Sequence, residues 1–154
     1  MVLVRILVDG YSLLHNWPEL APGRARHSAA ARDELVHVLT QYRDATSTPV
    51  TVFFDGAGSG GSGDSASTPE VEIIFSKSGQ TADDLIERAA HRFQPYGEVM
   101  VVTDDHAERD LVAGLGGLAV SCFNFIRMVE HALAEQDEAV HRHNHRERNA
   151  FKRR

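Results

Sequence analysis

Four acidic motifs carry the chemistry open to this chain. Asp9-Gly10, Asp55-Gly56, Asp83-Asp84 and Asp104-Asp105 each stand at the end of a short apolar run or in the first turn after one. Taken singly, they have ordinary structural uses: Asp-Gly is a turn pair, and Asp is a common residue at helix starts. Taken together, they gather up to six carboxylates. Like charges in one place cost free energy, because each raises its neighbours' pKa. Helix N-termini at Asp83, Asp84 and Asp105 offset only ~0.3–1 kcal/mol each. A divalent cation offsets far more, and hard oxygen ligands suit Mg²⁺ or Mn²⁺. Two such ions about 4 Å apart activate a water and stabilise the leaving oxygen of a phosphodiester.

The elements between these motifs decide whether they converge. Val2 to Val8 is a nearly unbroken apolar, β-branched run, the pattern of a central strand buried on both faces. Val50–Phe54, Val71–Phe75, Val99–Val102 and the weaker Leu118–Cys122 supply four more strands. Helices are predicted from Ala29 to about Ala45 behind a Ser28 cap, after Thr81 with Asp84 completing a capping box, from Asp105 to about Gly114, and from Asn124 to Val140. Asp105 and Glu108 read as a second capping pair. Tyr11–Leu14 begins either a helix or a loop. Strands alternating with helices predict a single α/β domain with a five-stranded parallel sheet sandwiched by helices. In such a sheet all four acidic positions fall on one edge, the carboxyl edge where open α/β sheets keep their ligands.

The remaining segments are irregular. Residues 57–69 are rich in Gly and Ser and predict a mobile loop from Gly56 to Thr68; no Gly-Lys-Ser/Thr ending makes them a phosphate loop. The domain is placed at residues 1–140. Residues 141–154 are basic, lack an apolar period, and are expected to form a disordered tail.

The motif order VDGYS at Asp9, FDG at Asp55, TADDLIER from Thr81 and VTDDHAERD from Val102 resembles the NYN domain family, specifically the YacP-like branch of PIN-like ribonucleases. The resemblance spans nearly all of residues 1 to 135. It implies a sheet of strand order 3-2-1-4-5 and metal-dependent cleavage of RNA by an endoribonuclease, with Mg²⁺ or Mn²⁺ as cofactor. Catalytic and metal-binding roles would fall to Asp9, Asp55, Asp83 and Asp105, with Asp104 a further metal candidate. The family's Asp-Gly-Tyr-Asn reads Asp-Gly-Tyr-Ser here, and Ser12 reaches less far than Asn. Ser12, Arg24, Arg26 and Arg88 are the expected substrate contacts. The partner is RNA, with mRNA, tRNA and the ribosome as the settings considered. A non-catalytic RNA- or ribosome-binding module with a degenerate site is the alternative, favoured by Ser12 and disfavoured by the retained carboxylates.

Other residues offer less. His141, His143 and His145 alternate in a polar tail, and the remaining histidines are scattered. Ser12 and Ser121 lack a nucleophile-elbow setting. A receiver-like phosphoacceptor would need a Lys where strand five ends in Ser121-Cys122. The single cysteine excludes an internal disulfide and fits a reducing compartment, so the cytoplasm is expected. The N-terminal run, interrupted by Arg5, is too short to span a membrane. The net charge of −6 argues against broad attraction to nucleic acid, leaving recognition to local patches.

Overall fold

The computed structural model describes residues 3–56 and 71–152. The loop expected between Gly56 and Thr68 lies, beyond Gly56 itself, outside the described residues. Five strands, β1 (Leu3–Asp9), β2 (Val50–Phe54), β3 (Val71–Phe75), β4 (Glu98–Val102) and β5 (Leu118–Val120), form one sheet in the order β3-β2-β1-β4-β5. Every neighbouring pair is parallel. Both the fold class and the strand order therefore match the expectation.

Each face of the sheet has its own core, because successive side chains on a strand point opposite ways. Ile6, Val8, Val52, Phe54 and Val102 pack against α1 (Gly10–His15), α2 (Ala29–Thr46) and the first turns of α5 (Cys122–Lys152), through Leu13, Leu35, Leu39, Phe125 and Val129. Leu7, Phe53, Val99 and Val101 pack against α3 (Ala82–Phe93) and α4 (His106–Gly114), through Ile86, Ala89, Ala90 and Val112. Leu7 and Ile86 are fully buried, worth about 1.5–3 kcal/mol each on the transfer scale. Arg5, the charge within the central strand, lies 4.6 Å from the centre of the Phe93 ring and donates to Thr51 Oγ1 at 2.9 Å.

Three local outcomes differ from the expectation. Gly10 does not turn the chain; it opens α1, with Asp9 as N-cap. A Cβ there would overlap the Phe54 ring, so glycine is required by close packing. The fifth strand stops at Val120, because Ser121 accepts from the Asn124 and Phe125 N–H groups, through Oγ at 3.2 Å and its carbonyl at 3.0 Å, and starts α5 two residues early.

The third difference is at the tail, where α5 continues through Lys152. Its support comes from pairs at i,i+4 spacing, His131–Glu135 at 3.2 Å, Arg142–Glu138 at 3.7 Å and His143–Glu147 at 3.8 Å. Such pairs leave no apolar period for a sequence reading to find. Among the described residues, no helix is long and apolar enough to cross a membrane.

Candidate active site

Strand order reverses at β1, since β2 and β3 lie on one side of it and β4 and β5 on the other. A reversal of this kind opens a crevice at the carboxyl ends of the two central strands. Asp9 ends β1. Thr103 follows β4, and the α4 turn carrying Glu108 rises directly behind it. Asp83, in the first turn of α3, comes in from the chain that leaves β3.

These elements bring Asp9, Asp83 and Glu108 together, with one carboxylate oxygen of each lying within 4.8 Å of the others. Glu108 is only 3% exposed. Its Oε2 accepts from the Thr103 hydroxyl at 3.2 Å, whereas its Oε1 is buried without a hydrogen-bond partner among the described residues. Burial and the adjacent Asp83 push the Glu108 carboxyl up to about 9, which favours its protonated form in the metal-free protein. Burial likewise raises Asp9 to about 6, against the Ser12 backbone and hydroxyl, which favour its ionised form. Asp83 and Asp55 add to the rise.

An all-carboxylate donor set suits a hard divalent cation. The partnerless Glu108 oxygen is what such an ion would satisfy, so the residues fit the metal that the resemblance implies. Among the described residues, no Lys or Arg forms an ion pair with these three carboxylates.

The other expected site residues are placed differently. Asp55 Oδ1 accepts from the Ala82 N–H at 2.7 Å and lies 3.4 Å from Ser76 Oγ, tying the end of β2 to the start of α3. Asp105 caps α4, accepting from the N–H groups of Ala107 at 2.9 Å and Glu108 at 3.3 Å. Asp104 accepts from the Cys122 N–H at 2.9 Å and anchors α5. None of the three joins the group of Asp9, Asp83 and Glu108. Asp84 completes the expected capping box with Thr81, both bonds at 3.1 Å. Ser12 sits against Asp9 through its backbone N–H, at a long 3.4 Å. Arg24 and Arg88 are exposed and Arg26 is half-buried. Cys122 is buried, and burial with the charges of Asp104 and Asp9 pushes its thiol up to about 12, which makes it inert.

Glu108 joins this group although the sequence pattern assigns it a different place, as the capping partner of Asp105; its side chain turns inward instead. The signal was its phase: Glu108, Val112 and Leu115 share the face of α4 that packs toward the sheet. A carboxylate on a buried face needs a partner.

The YacP-like NYN domain describes residues 6–154 of this chain. The chain belongs to the YacP-like NYN domain family. This is a family of PIN-like nucleases. Protein YacP of Bacillus subtilis (strain 168) is 33% identical over 126 residues, covering 81% of this chain and 74% of its own length. A crystal structure of a mutant of Rae1 (YacP) from Bacillus subtilis superposes with a TM-score of 0.77 at 30% identity, over 91% of this chain and 83% of that one. A second crystal structure of Rae1 gives 0.75 at 29% identity, over 92% and 81%. The NYN match extends along α5.

Proposed function

We propose that this NYN protein is a divalent-metal-dependent endoribonuclease that hydrolyses RNA phosphodiester bonds. The observation that carries the reading is the buried Glu108 oxygen, partnerless beside Asp83 and Asp9. A binding module has no use for that arrangement. Phosphate recognition alone is better served by Arg and Lys, and three carboxylates in one crevice repel the ligand they would have to hold. This weighs against the alternative of a non-catalytic RNA- or ribosome-binding module, despite Ser12.

In this reading Asp9, Asp83 and Glu108 hold Mg²⁺ or Mn²⁺. When bound, the cation lowers the pKa of a water for attack and neutralises charge on the phosphate. The chain's own part is to keep three oxygens in place and to give up protons. Thr103 fixes Glu108 through Oε2 and also receives the Asp105 N–H at 3.1 Å, so one hydroxyl sets both the α4 cap and the buried carboxylate. Asp55 and Asp105 act as positioning residues, fixing the helix starts that carry Asp83 and Glu108. In this reading Arg24, Arg26 and Arg88 are the side chains that meet the RNA backbone. The cytoplasm is the compartment this reading assigns.

Incubating the protein with single-stranded and structured RNAs in Mn²⁺, Mg²⁺ or EDTA, beside Asp9→Asn, tests the proposal. Internal cleavage that needs the metal and the carboxylate supports it. Stable RNA under every condition, with binding intact, would instead establish the binding module.

A further inference from the structure

We propose that Tyr11 and His27 form a stacking subsite for one unpaired nucleobase of the RNA, beside the carboxylate crevice. The inference rests on RNA being the ligand, as in the function proposed above, but not on cleavage. Tyr11 lies two residues past Asp9, in the first turn of α1, and His27 comes from the segment joining α1 to α2. Their ring centres are 4.4 Å apart at 46°.

Behind them the rings continue inward. Tyr11 lies 4.8 Å from Phe54, and Phe54 stacks on Phe75 at 5.5 Å and 27°. Four aromatic rings thus run from a half-buried Phe75 through a fully buried Phe54 and then Tyr11 to an exposed His27. Gly10 permits this, since any side chain there would displace the Phe54 ring.

The outer pair is held in place before any ligand arrives. Arg32 Nη1 donates to the His27 carbonyl at 2.8 Å and to the Tyr11 hydroxyl at 3.3 Å, while its guanidinium lies 5.7 Å from the centre of the Phe75 ring. A prearranged aromatic surface loses little entropy when a flat ligand lands on it. An exposed imidazole beside a half-buried phenol presents π faces with polar edges, which suits a nucleobase better than an aliphatic chain. Arg24 and Arg26, in the same segment as His27, supply positive charge for the attached phosphates. Stacking also answers an electrostatic difficulty: phosphates near three metal-free carboxylates are repelled, and uncharged contact nearby adds to what Arg24 and Arg26 supply.

The test is fluorescence anisotropy of a short, labelled single-stranded RNA in EDTA and low salt, where cleavage is absent. A fully abasic oligonucleotide of the same length is the comparison. The wild type should prefer the base-bearing strand. His27→Ala should reduce that preference roughly tenfold, the scale of losing one stacked base. His27→Phe should restore it, and His37→Ala, on the exposed side of α2, should leave it unchanged. A preference unaltered in His27→Ala overturns the subsite, as does failure of His27→Phe to rescue, or an absence of binding by the wild type. Cleavage in Mn²⁺ with no His27 dependence would reject the subsite and keep the nuclease. Stacking-dependent binding without cleavage would do the reverse.

Discussion

Glu108 and Asp83 bring carboxylate oxygens within 4.8 Å of each other at the end of β1, and the buried Oε1 of Glu108 receives no hydrogen bond from a donor among the described residues. A proton or a cation has to occupy that gap, and which of the two is present sets stability, pH response and activity together.

Replacing Glu108 with Gln puts a permanent neutral donor in the gap, with no proton to take up on folding. Glu108→Gln should stabilise the metal-free protein by about 1 kcal/mol, the net worth of a made hydrogen bond. It should also weaken metal binding by roughly 10–100-fold or more, the range that even outer partners of a metal site command. Thermal melts with and without Mn²⁺ check both. A variant less stable than the wild type without metal would mean that the two carboxyl groups are not in conflict.

The pH dependence follows from the same pair and from Asp9. Folding raises Asp9 from 3.8 to about 6 and Glu108 from 4.5 to about 9. Between those limits the folded state holds more protons than the unfolded one, so this contribution is fully present below pH 4 and is lost as pH rises through 6 and then 9. Relative to Glu108→Gln, the metal-free wild type should lose stability from pH 5 to pH 9. Metal binding must expel these protons, so metal affinity should rise over the same range. Urea melts and metal titrations at several pH values read both.

Divalent metal should raise the melting temperature of the wild type, since at 100 times its dissociation constant a ligand adds about 2.7 kcal/mol. Asp9→Asn should keep or raise the metal-free melting temperature and lose the response. Indifference of the wild type to millimolar Mg²⁺ and Mn²⁺ would remove the cation from the account.

Gly10→Ala tests the packing under the crevice. Its methyl group would overlap the buried Phe54 ring. The cost should be about 1–3 kcal/mol, as for other overpacked cores. Chemical denaturation measures it, and a neutral substitution would show that the ring has room to move.

The sheet was legible because five apolar runs alternate with helix signals, and strand ends then place acidic residues on one edge without further information. The convergence of Asp9 and Asp83 was legible for that reason. Glu108 was not, because Asp105 and Glu108 both suit the first turn of α4. Which carboxylate caps and which turns inward depends on how the helix is rotated over the sheet. Only the shared phase with Val112 and Leu115 carries that information. The far end of α5 was illegible for a different reason: a helix held by i,i+4 pairs has no buried face to leave a periodic trace.

The central claim is that carboxylates and a metal-activated water cut the RNA, and the ends of the cut strands test it most directly. Water attack at a phosphodiester expels the 3′ oxygen and leaves a 5′ phosphate on the downstream fragment. It also tolerates a 2′-deoxy sugar at the cleaved bond. End-group analysis on an RNA carrying one deoxynucleotide at the cleavage position should therefore show metal-dependent cutting with 5′-phosphate ends, abolished in Asp9→Asn. Products ending in 2′,3′-cyclic phosphate, blocked by the deoxy sugar and persisting in Asp9→Asn, would contradict it.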